Sequence, residues 1–317
     1  MPDRQQSTAV AAAAVTVVFW ASAFVAIRSA GDAYSPGAMA LGRLGTAALV
    51  LGVFALVRRV GWPRRAAWPG ILISGVGWFA GYMVLLNWGE QIVDAGTAAL
   101  VVNVGPILIA VLGGLFLGER TRRSVWLGIG VAFAGTAVVG LSMSRGGGSS
   151  VLGVVLCFLA AVTYAIGVVA QKPALRHGSA LQITTYACLV ATVALLPFAG
   201  RLLHDAAAAP PAATLNVIYL GVFPTAVAFT TWAYALARTT AGKMGATTYV
   251  VPALVVAMSW LFLSEVPGWL TLAGGALCLT GVALSRRRGG SAAVPAVASE
   301  AVHAGSPRTP AATPPDR

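Results

Sequence analysis

Two acidic residues stand out because this chain of 317 residues has only nine. Glu119 and Glu265 each lie thirteen residues after a proline, Pro106 or Pro252, and each closes a Leu-Phe-Leu-x-Glu segment. The second pair therefore repeats the first 146 positions later. A carboxylate at such a position can exchange protons or accept hydrogen bonds from the amides of a turn. We interpret both glutamates as structural residues at helix ends.

The two prolines and one arginine indicate further chemistry. Pro106 and Pro252 lie inside apolar segments, where each removes a backbone donor and frees the carbonyl four residues earlier. We interpret them as paired kinks that act as hinges or shape a cavity. Arg43 also lies inside an apolar segment, and its guanidinium suits bidentate binding of a substrate carboxylate. Extension to a polar surface and pairing with Asp32 are the alternatives for Arg43.

The composition identifies the elements that must position these residues. The chain is 58% hydrophobic and 9% charged, whereas soluble domains carry about 25% charged residues. The charges cluster between apolar stretches of about twenty residues, the length that crosses a bilayer as a helix. The sequence therefore predicts an all-α, multi-pass protein of the cell membrane. An uncleaved first helix is favoured over a signal peptide, because the apolar segment continues beyond Ala23.

Ten transmembrane helices are predicted, and the basic residues of the loops give their orientation. Arginines are concentrated in the loops at 58–65 and 119–123, whereas the alternate loops carry at most one basic residue each. Because basic loops stay on the cytoplasmic side, both termini are predicted to be cytoplasmic. The predicted helices cover residues 8–28, 37–57, 68–88, 96–118, 124–143, 150–171, 179–199, 213–235, 242–264 and 267–285.

The repeat divides the chain into two halves. A shift of 146 positions aligns the last three helices of each half without a gap. Since five helices is an odd number, the second half must enter the membrane inverted, as in many secondary transporters. The predicted units are residues 1–143, a linker at 144–149, and residues 150–286. Residues 287–317, rich in Ala, Pro and Ser, are predicted to form a disordered cytoplasmic tail.

The doubled pattern resembles a known family. The segments "AGTAALVVNVGPILIAVLGGLFLGER" and "YVVPALVVAMSWLFLSE" are similar to those of EamA-type members of the drug/metabolite transporter superfamily. The resemblance covers the chain up to residue 286. It implies ten helices around a central cavity, lined by the first, third and fourth helices of each half, and an activity in transporting amino acids or other small metabolites.

The implied cavity helices carry the candidates for substrate binding. Aromatic rings and one amide lie in the middle of these helices, away from the interfacial belt that explains Trp62 and Trp269. With Arg43, the predicted cavity residues are Trp20, Trp78, Tyr82, Asn103, Tyr164, Trp232 and Tyr249.

The leading functional prediction is a secondary transporter that exports a small polar or zwitterionic metabolite, such as an amino acid, by alternating access. An efflux pump for lipophilic cations is an alternative. It is disfavoured because the first helix of neither half holds a carboxylate, and all acidic residues are expected at helix ends, in loops or in the termini. A membrane enzyme is a remote alternative, because no nucleophile or phosphate-binding motif occurs. A channel or lipid scramblase is another.

The expected partners are a small-molecule solute and the lipid bilayer. The net charge of +12 does not indicate nucleic-acid binding, because the basic residues are dispersed among short loops. His177, His204 and His303 lie in loops or the tail without metal-ligand spacing, so we predict no catalytic residues, metal or cofactor. The sequence leaves the substrate, the coupling ion and the oligomeric state open.

Overall fold

The computed structural model describes residues 2–93, 95–119, 123–144, 151–263 and 269–286. Within these ranges the chain is helical and contains no strand. The helices are α1 (Pro2–Ala30), α2 (Pro36–Val57), α3 (Arg65–Ile92), α4 (Ala95–Val102), α5 (Gly105–Leu117), α6 (Arg123–Ser144), α7 (Val151–Ala174), α8 (Ala180–Ala194), α9 (Ala199–Ala208), α10 (Pro211–Leu236), α11 (Ala241–Thr247), α12 (Val251–Leu263) and α13 (Trp269–Arg286).

The helices are those of a multi-pass membrane protein. Six helices in the described ranges are long and apolar enough to cross a membrane, and a seventh span results if the bent pair Ala180–Ala194 and Leu196–Ala208 counts as one. Helices overlap each of the ten ranges predicted from the sequence. Many of their large apolar side chains point outward, as a lipid environment requires.

Two helices that the sequence predicts as continuous are broken. The break after α4 lies at residues 103–104, and the break after α11 is a short 3₁₀ turn at Thr248–Val250. Pro106 and Pro252 each occupy the second position of the next helix. A proline is favoured in a first helical turn, where its missing N–H would have had no partner. The predicted helices at 96–118 and 242–264 are therefore each divided in two, with a proline in the first turn of the second part, and the role of these prolines as hinges stays a prediction.

A third predicted helix, at 179–199, is too long. Helix α8 ends at Ala194, and a 3₁₀ turn over Leu196–Phe198 leads into α9 at an angle of 52°. Pro197 lies in this turn, and the residue before a proline avoids the α conformation. Helix α9, which carries Arg201 and Asp205, was not predicted from the sequence.

Two of the long helices contain π-helical segments. These are Ile73–Tyr82 in α3 and Gly221–Val227 in α10. A π-helical segment alters the direction of the side chains that follow it and is often found at functional sites. Here the segments carry Trp78, Tyr82 and Thr225.

Helices from the first half of the chain pack against helices from the second half. Helix α1 contacts α10 and α12, α2 contacts α8, α3 contacts α7 and α8, and α6 runs along α13. One close contact involves Gly167 of α7, where an added Cβ would lie 2.2 Å from the Cβ of Trp78. The polar and aromatic residues of the first half are thus brought to the interface between the halves.

Candidate functional site

A cavity lies at this interface, next to both helix breaks. Six of the eight predicted cavity residues line it, namely Trp20, Arg43, Trp78, Tyr82, Asn103 and Tyr164. The other lining residues were not predicted from the sequence; they are Ala23, Phe24, Leu86, Val102, Phe229, Thr248 and Val251. Five of them cannot be distinguished from packing residues in the sequence, namely Ala23, Phe24, Leu86, Val102 and Val251.

Aromatic rings form one side of the cavity. The ring of Trp20 meets those of Trp78, Tyr164 and Phe229 edge-on, with centroid distances of 6.2, 6.0 and 5.7 Å. Trp78 is stacked on Phe229 at 5.0 Å. This cluster presents ring faces and edges to the cavity, which suits an apolar chain or a cationic group.

Arg43 is the only charged residue among those that line the cavity. Its Nε donates a hydrogen bond of 2.7 Å to the hydroxyl of Thr225, which in turn donates to the carbonyl of Leu220 at 2.8 Å. The residue is 3% exposed, and it forms no ion pair with Asp32 or with another carboxylate of the described residues. Arg43 therefore neither extends to a polar surface nor pairs with Asp32.

One nitrogen of the Arg43 guanidinium, Nη1, is buried and has no hydrogen-bond partner among the described residues. An unpaired buried cation is costly unless an anion or another acceptor joins it. Thr225 fixes the orientation of the guanidinium from the opposite helix, so that this site can bind an anionic group in a defined geometry.

Asn103 and Thr248 line the cavity from the two helix breaks. The Asn103 amide donates to the carbonyl of Ala99 at 2.6 Å, and the Thr248 hydroxyl donates to the carbonyl of Gly245 at 2.8 Å. Each side chain thus binds a backbone carbonyl near the end of a helix, where regular partners are absent. The broken backbone is stabilised locally and still borders the cavity.

Two of the predicted cavity residues lie away from the wall. The ring centroid of Trp232 is 4.8 Å from that of Trp20, so Trp232 supports this ring from behind. Tyr249 is 1% exposed and packs in a separate apolar cluster with Ala110 and Ile129. At this break, the 3₁₀ turn directs the side chain of Thr248 toward the cavity and that of Tyr249 away from it.

Glu119 connects the first half of the chain to the second. Its carboxylate accepts hydrogen bonds from the backbone N–H groups of Ala241 at 2.9 Å and Gly242 at 3.3 Å, at the start of α11. Gly118 makes the necessary turn after α5 in the left-handed conformation, with φ of 63°. The corresponding glutamate, Glu265, lies outside the described residues.

The same connection between α10 and α11 is held by a second side chain. The Lys172 ammonium donates hydrogen bonds to the carbonyls of Leu236 and Thr239, at and just after the end of α10. An anion at a helix start and a cation at a helix end both complement the helix dipole. Glu119 and Lys172 therefore fasten this connection at both of its ends.

Two acidic residues are buried, although both lie in the last turn of a helix and so agree with the prediction that acidic residues lie at helix ends, in loops or in the termini. Asp205 is 5% exposed in α9 and accepts a hydrogen bond from the backbone N–H of Ser35 at 2.9 Å. Glu90 is 2% exposed in α3, which extends to Ile92 instead of ending near residue 88. The sequence signal was the four-residue spacing of Tyr82, Leu86 and Glu90, which places all three on one helix face.

The described residues contain no cluster of three or more His, Cys, Asp or Glu side chains that could hold a metal ion. The cavity is lined by one cation, hydroxyl and amide groups, and apolar surface. This arrangement can bind a small organic molecule, and among the lining residues it offers no nucleophile paired with a general base.

Comparisons with known proteins agree with this geometry. A sequence model of the EamA-like transporter family matches residues 7–141 and again residues 151–287. A probable terminal-alkyne amino-acid exporter of Streptantibioticus cattleyicolor is 39% identical over 282 residues, which cover 89% of this chain and 94% of that protein. The uncharacterized transporter YdfC of Bacillus subtilis is 33% identical, over 83% of this chain and 86% of that protein.

More distant relatives extend the comparison. A probable amino-acid metabolite efflux pump of Escherichia coli is 24% identical over 64% of this chain and 70% of that protein. A protein of known crystal structure has the same fold, with a TM-score of 0.71 and 23% identity over 88% of this chain and 96% of that one. The resemblance predicted from the doubled motif is thereby confirmed, and the chain belongs to the EamA-like transporter family.

Proposed function

We propose that this protein exports a small amino acid or a similar metabolite that carries both a carboxylate and an ammonium group. The observation that supports this most directly is the Arg43 guanidinium, which is buried at the cavity wall with Nη1 unpartnered among the described residues. A substrate carboxylate there would accept charge-assisted hydrogen bonds. The rings of Trp20 and Trp78 would face the ammonium group or an unsaturated side chain.

The relatives' names support an amino acid-like substrate. One relative is named a probable terminal-alkyne amino-acid exporter and another a probable amino-acid metabolite efflux pump. A pump for lipophilic cations is disfavoured, because Arg43 places a positive charge on the cavity wall and no carboxylate of the described residues lines it. Like charges in a site of low dielectric constant repel strongly.

Alternating access between two inverted five-helix repeats is the mechanism that we propose. The family model matches the two halves separately, at 7–141 and 151–287. The π-helical segments at 73–82 and 221–227 and the breaks at 103–104 and 248–250 lie at corresponding positions under the shift of 146. Such breaks at the interface of two repeats are typical of transporters, whose halves rock against each other around the site.

Glu119 and Lys172 would close the cavity on one side in this cycle. The distribution of basic residues assigns this side to the cytoplasm, with both termini. Opening toward the cytoplasm would require the hydrogen bonds from Ala241 and Gly242 to Glu119 to break.

The test compares metabolites in the medium and in extracts of cells that express the protein or carry an empty vector. We expect amino acid-like compounds to accumulate outside the expressing cells, including L-propargylglycine, a terminal-alkyne amino acid, after the cells are loaded with it. Arg43→Gln should lower export about 10–100-fold, because a hydrogen bond to a charged group contributes about 1.5–3 kcal/mol. Arg58→Gln, at an exposed arginine, is the matched control. Identical metabolite profiles with and without the protein would refute the proposal.

A further inference from the structure

Glu90 is a buried carboxyl group that the proposed cavity does not use. It is 2% exposed, and both of its carboxylate oxygens lack a hydrogen-bond partner among the described residues. A buried carboxylate without hydrogen bonds is strongly disfavoured unless it binds a proton or a cation compensates its charge. Unlike an apolar packing residue, Glu90 can lower this cost by binding a proton.

The position of Glu90 connects it to the cavity. Tyr82 and Leu86 line the cavity, and Glu90 follows them on the same face of α3, one turn farther along. Arg43 on α2 is the cation that acts most strongly on the Glu90 carboxylate, and Arg28 on α1 is the other. No ion pair forms, since the nitrogen and oxygen atoms of Arg43 and Glu90 are not within 4.0 Å.

The remaining surroundings of Glu90 offer little compensation. Two further titratable groups lie in its neighbourhood, namely the hydroxyl of Tyr82 and, on α7, the thiol of Cys157, which lies against Gly89. Neither group can carry the positive charge that would compensate a carboxylate. The charge on Glu90 is therefore balanced chiefly by Arg43, the same residue that faces the cavity.

We propose that Glu90 is a proton-binding site whose protonation is linked to the binding of a substrate carboxylate at Arg43. This inference rests on the proposed function, because it needs an anionic group at Arg43. With the cavity empty, Arg43 balances the negative charge of Glu90. When a substrate carboxylate binds Arg43, two carboxylates lie near one guanidinium, and nearby like charges favour protonation of one of them.

The linkage has a defined sign. Substrate binding causes Glu90 to take up one proton from solution, and by reciprocity a protonated Glu90 increases the affinity for substrate. Loss of that proton restores the competing carboxylate beside Arg43 and expels the substrate carboxylate. Glu90 lies two residues from the end of α3 that the proposed orientation places outside, so its deprotonation there would release the substrate to the exterior.

Binding of L-propargylglycine to the purified full-length protein tests the linkage. We expect the Kd of the wild type to fall about tenfold for each unit decrease in pH, over the pH range in which binding is coupled to the uptake of one proton. In a weakly buffered solution, one proton should be taken up per ligand bound. Glu90→Gln should bind at every pH as tightly as the wild type at low pH, without proton uptake. Asp32→Asn, an exposed acid, is the control and should behave like the wild type. The amide of propargylglycine, which has no carboxylate, should cause no proton uptake.

Failure of this inference is distinguishable from failure of the proposed function. If Glu90→Gln retains the pH dependence and the proton uptake of the wild type, the inference is wrong and amino-acid binding stands. If the wild type binds no propargylglycine or other amino acid, the proposed function fails together with the linkage. Infrared difference spectra in the absence of ligand then decide whether Glu90 binds a proton. A protonated-carboxyl band that Glu90→Gln removes and Asp32→Asn retains supports the proton site, and its absence between about pH 5 and 9 overturns it.

Discussion

The substitution Gly167→Ala tests whether the position of Trp78 determines transport. An ideal Cβ at Gly167 would lie 2.2 Å from Trp78 Cβ and 3.0 Å from its Cγ. Carbon atoms in contact are separated by about 3.5–4.0 Å, so helices α3 and α7 would have to separate locally by about 1.5 Å. Trp78 is 1% exposed and packed against Phe229 and Tyr164, at centroid distances of 5.0 and 5.3 Å, so its ring has no free space to enter.

The expected cost follows from this overlap. Overpacking of a well-packed interior destabilises proteins by about 1–3 kcal/mol. Because displacements of about 1 Å in a binding site lower reaction rates by up to about 10²-fold in enzymes, we expect transport to fall by at least about tenfold. Gly45→Ala is the matched control, since no heavy atom lies within 4 Å of an added Cβ there. Both substitutions bring the same gain in helix propensity, so their difference isolates the steric effect.

The assay has two measurements on purified protein. The midpoint of thermal unfolding reports stability, and uptake of L-propargylglycine into proteoliposomes reports transport. Gly167→Ala should unfold at a lower temperature than Gly45→Ala and transport more slowly. Equal stability and equal transport in the two variants would refute the close packing of α3 on α7 and the role of Trp78 in the cavity wall.

Three further predictions concern the anion site, the closure and the helix breaks. Arg43→Lys should weaken amino-acid binding about tenfold in calorimetry, because lysine keeps the charge but not the planar donors that Thr225 orients; unchanged affinity would contradict the role of that geometry. Glu119→Gln should increase hydrogen exchange at the amides of Ala241 and Gly242 about tenfold, since a charge-assisted hydrogen bond is lost; unaltered exchange would argue against closure by Glu119. Pro106→Ala and Pro252→Ala should slow transport more than they lower expression, because alanine allows the broken helices to become continuous; normal rates in both would exclude a hinge role.

The number and approximate position of the helices could be predicted because apolar length is a local property. Segments of about twenty apolar residues separated by charged loops must be helical in a bilayer, where every backbone group needs a partner. Interruptions were harder to predict. The effect of Pro106 and Pro252 depends on whether the helix continues through the proline or restarts at it, and the packing of neighbouring helices decides this.

The candidate site could be predicted only in part. Trp20, Arg43 and Trp78 line the cavity because they lie near the middle of long helices that face the other half of the chain. Tyr249 was expected there too, but the turn at Thr248–Val250 rotates it into a separate cluster. Glu90 could not be singled out from the sequence, because it follows the predicted end of the third helix at residue 88, where a carboxylate is expected to lie in a loop.

The sequence by itself determined that the chain is a helical membrane protein with a doubled pattern, since composition and repetition need no tertiary contact. It also determined which residue types are available for binding or proton exchange, because few charged residues occur in so apolar a chain. Only the tertiary structure decided which of them act together. Thr225 lies 182 positions from Arg43, and Ala241 lies 122 positions from Glu119. No local pattern encodes these pairs, because they arise only when helices from the two halves pack against each other.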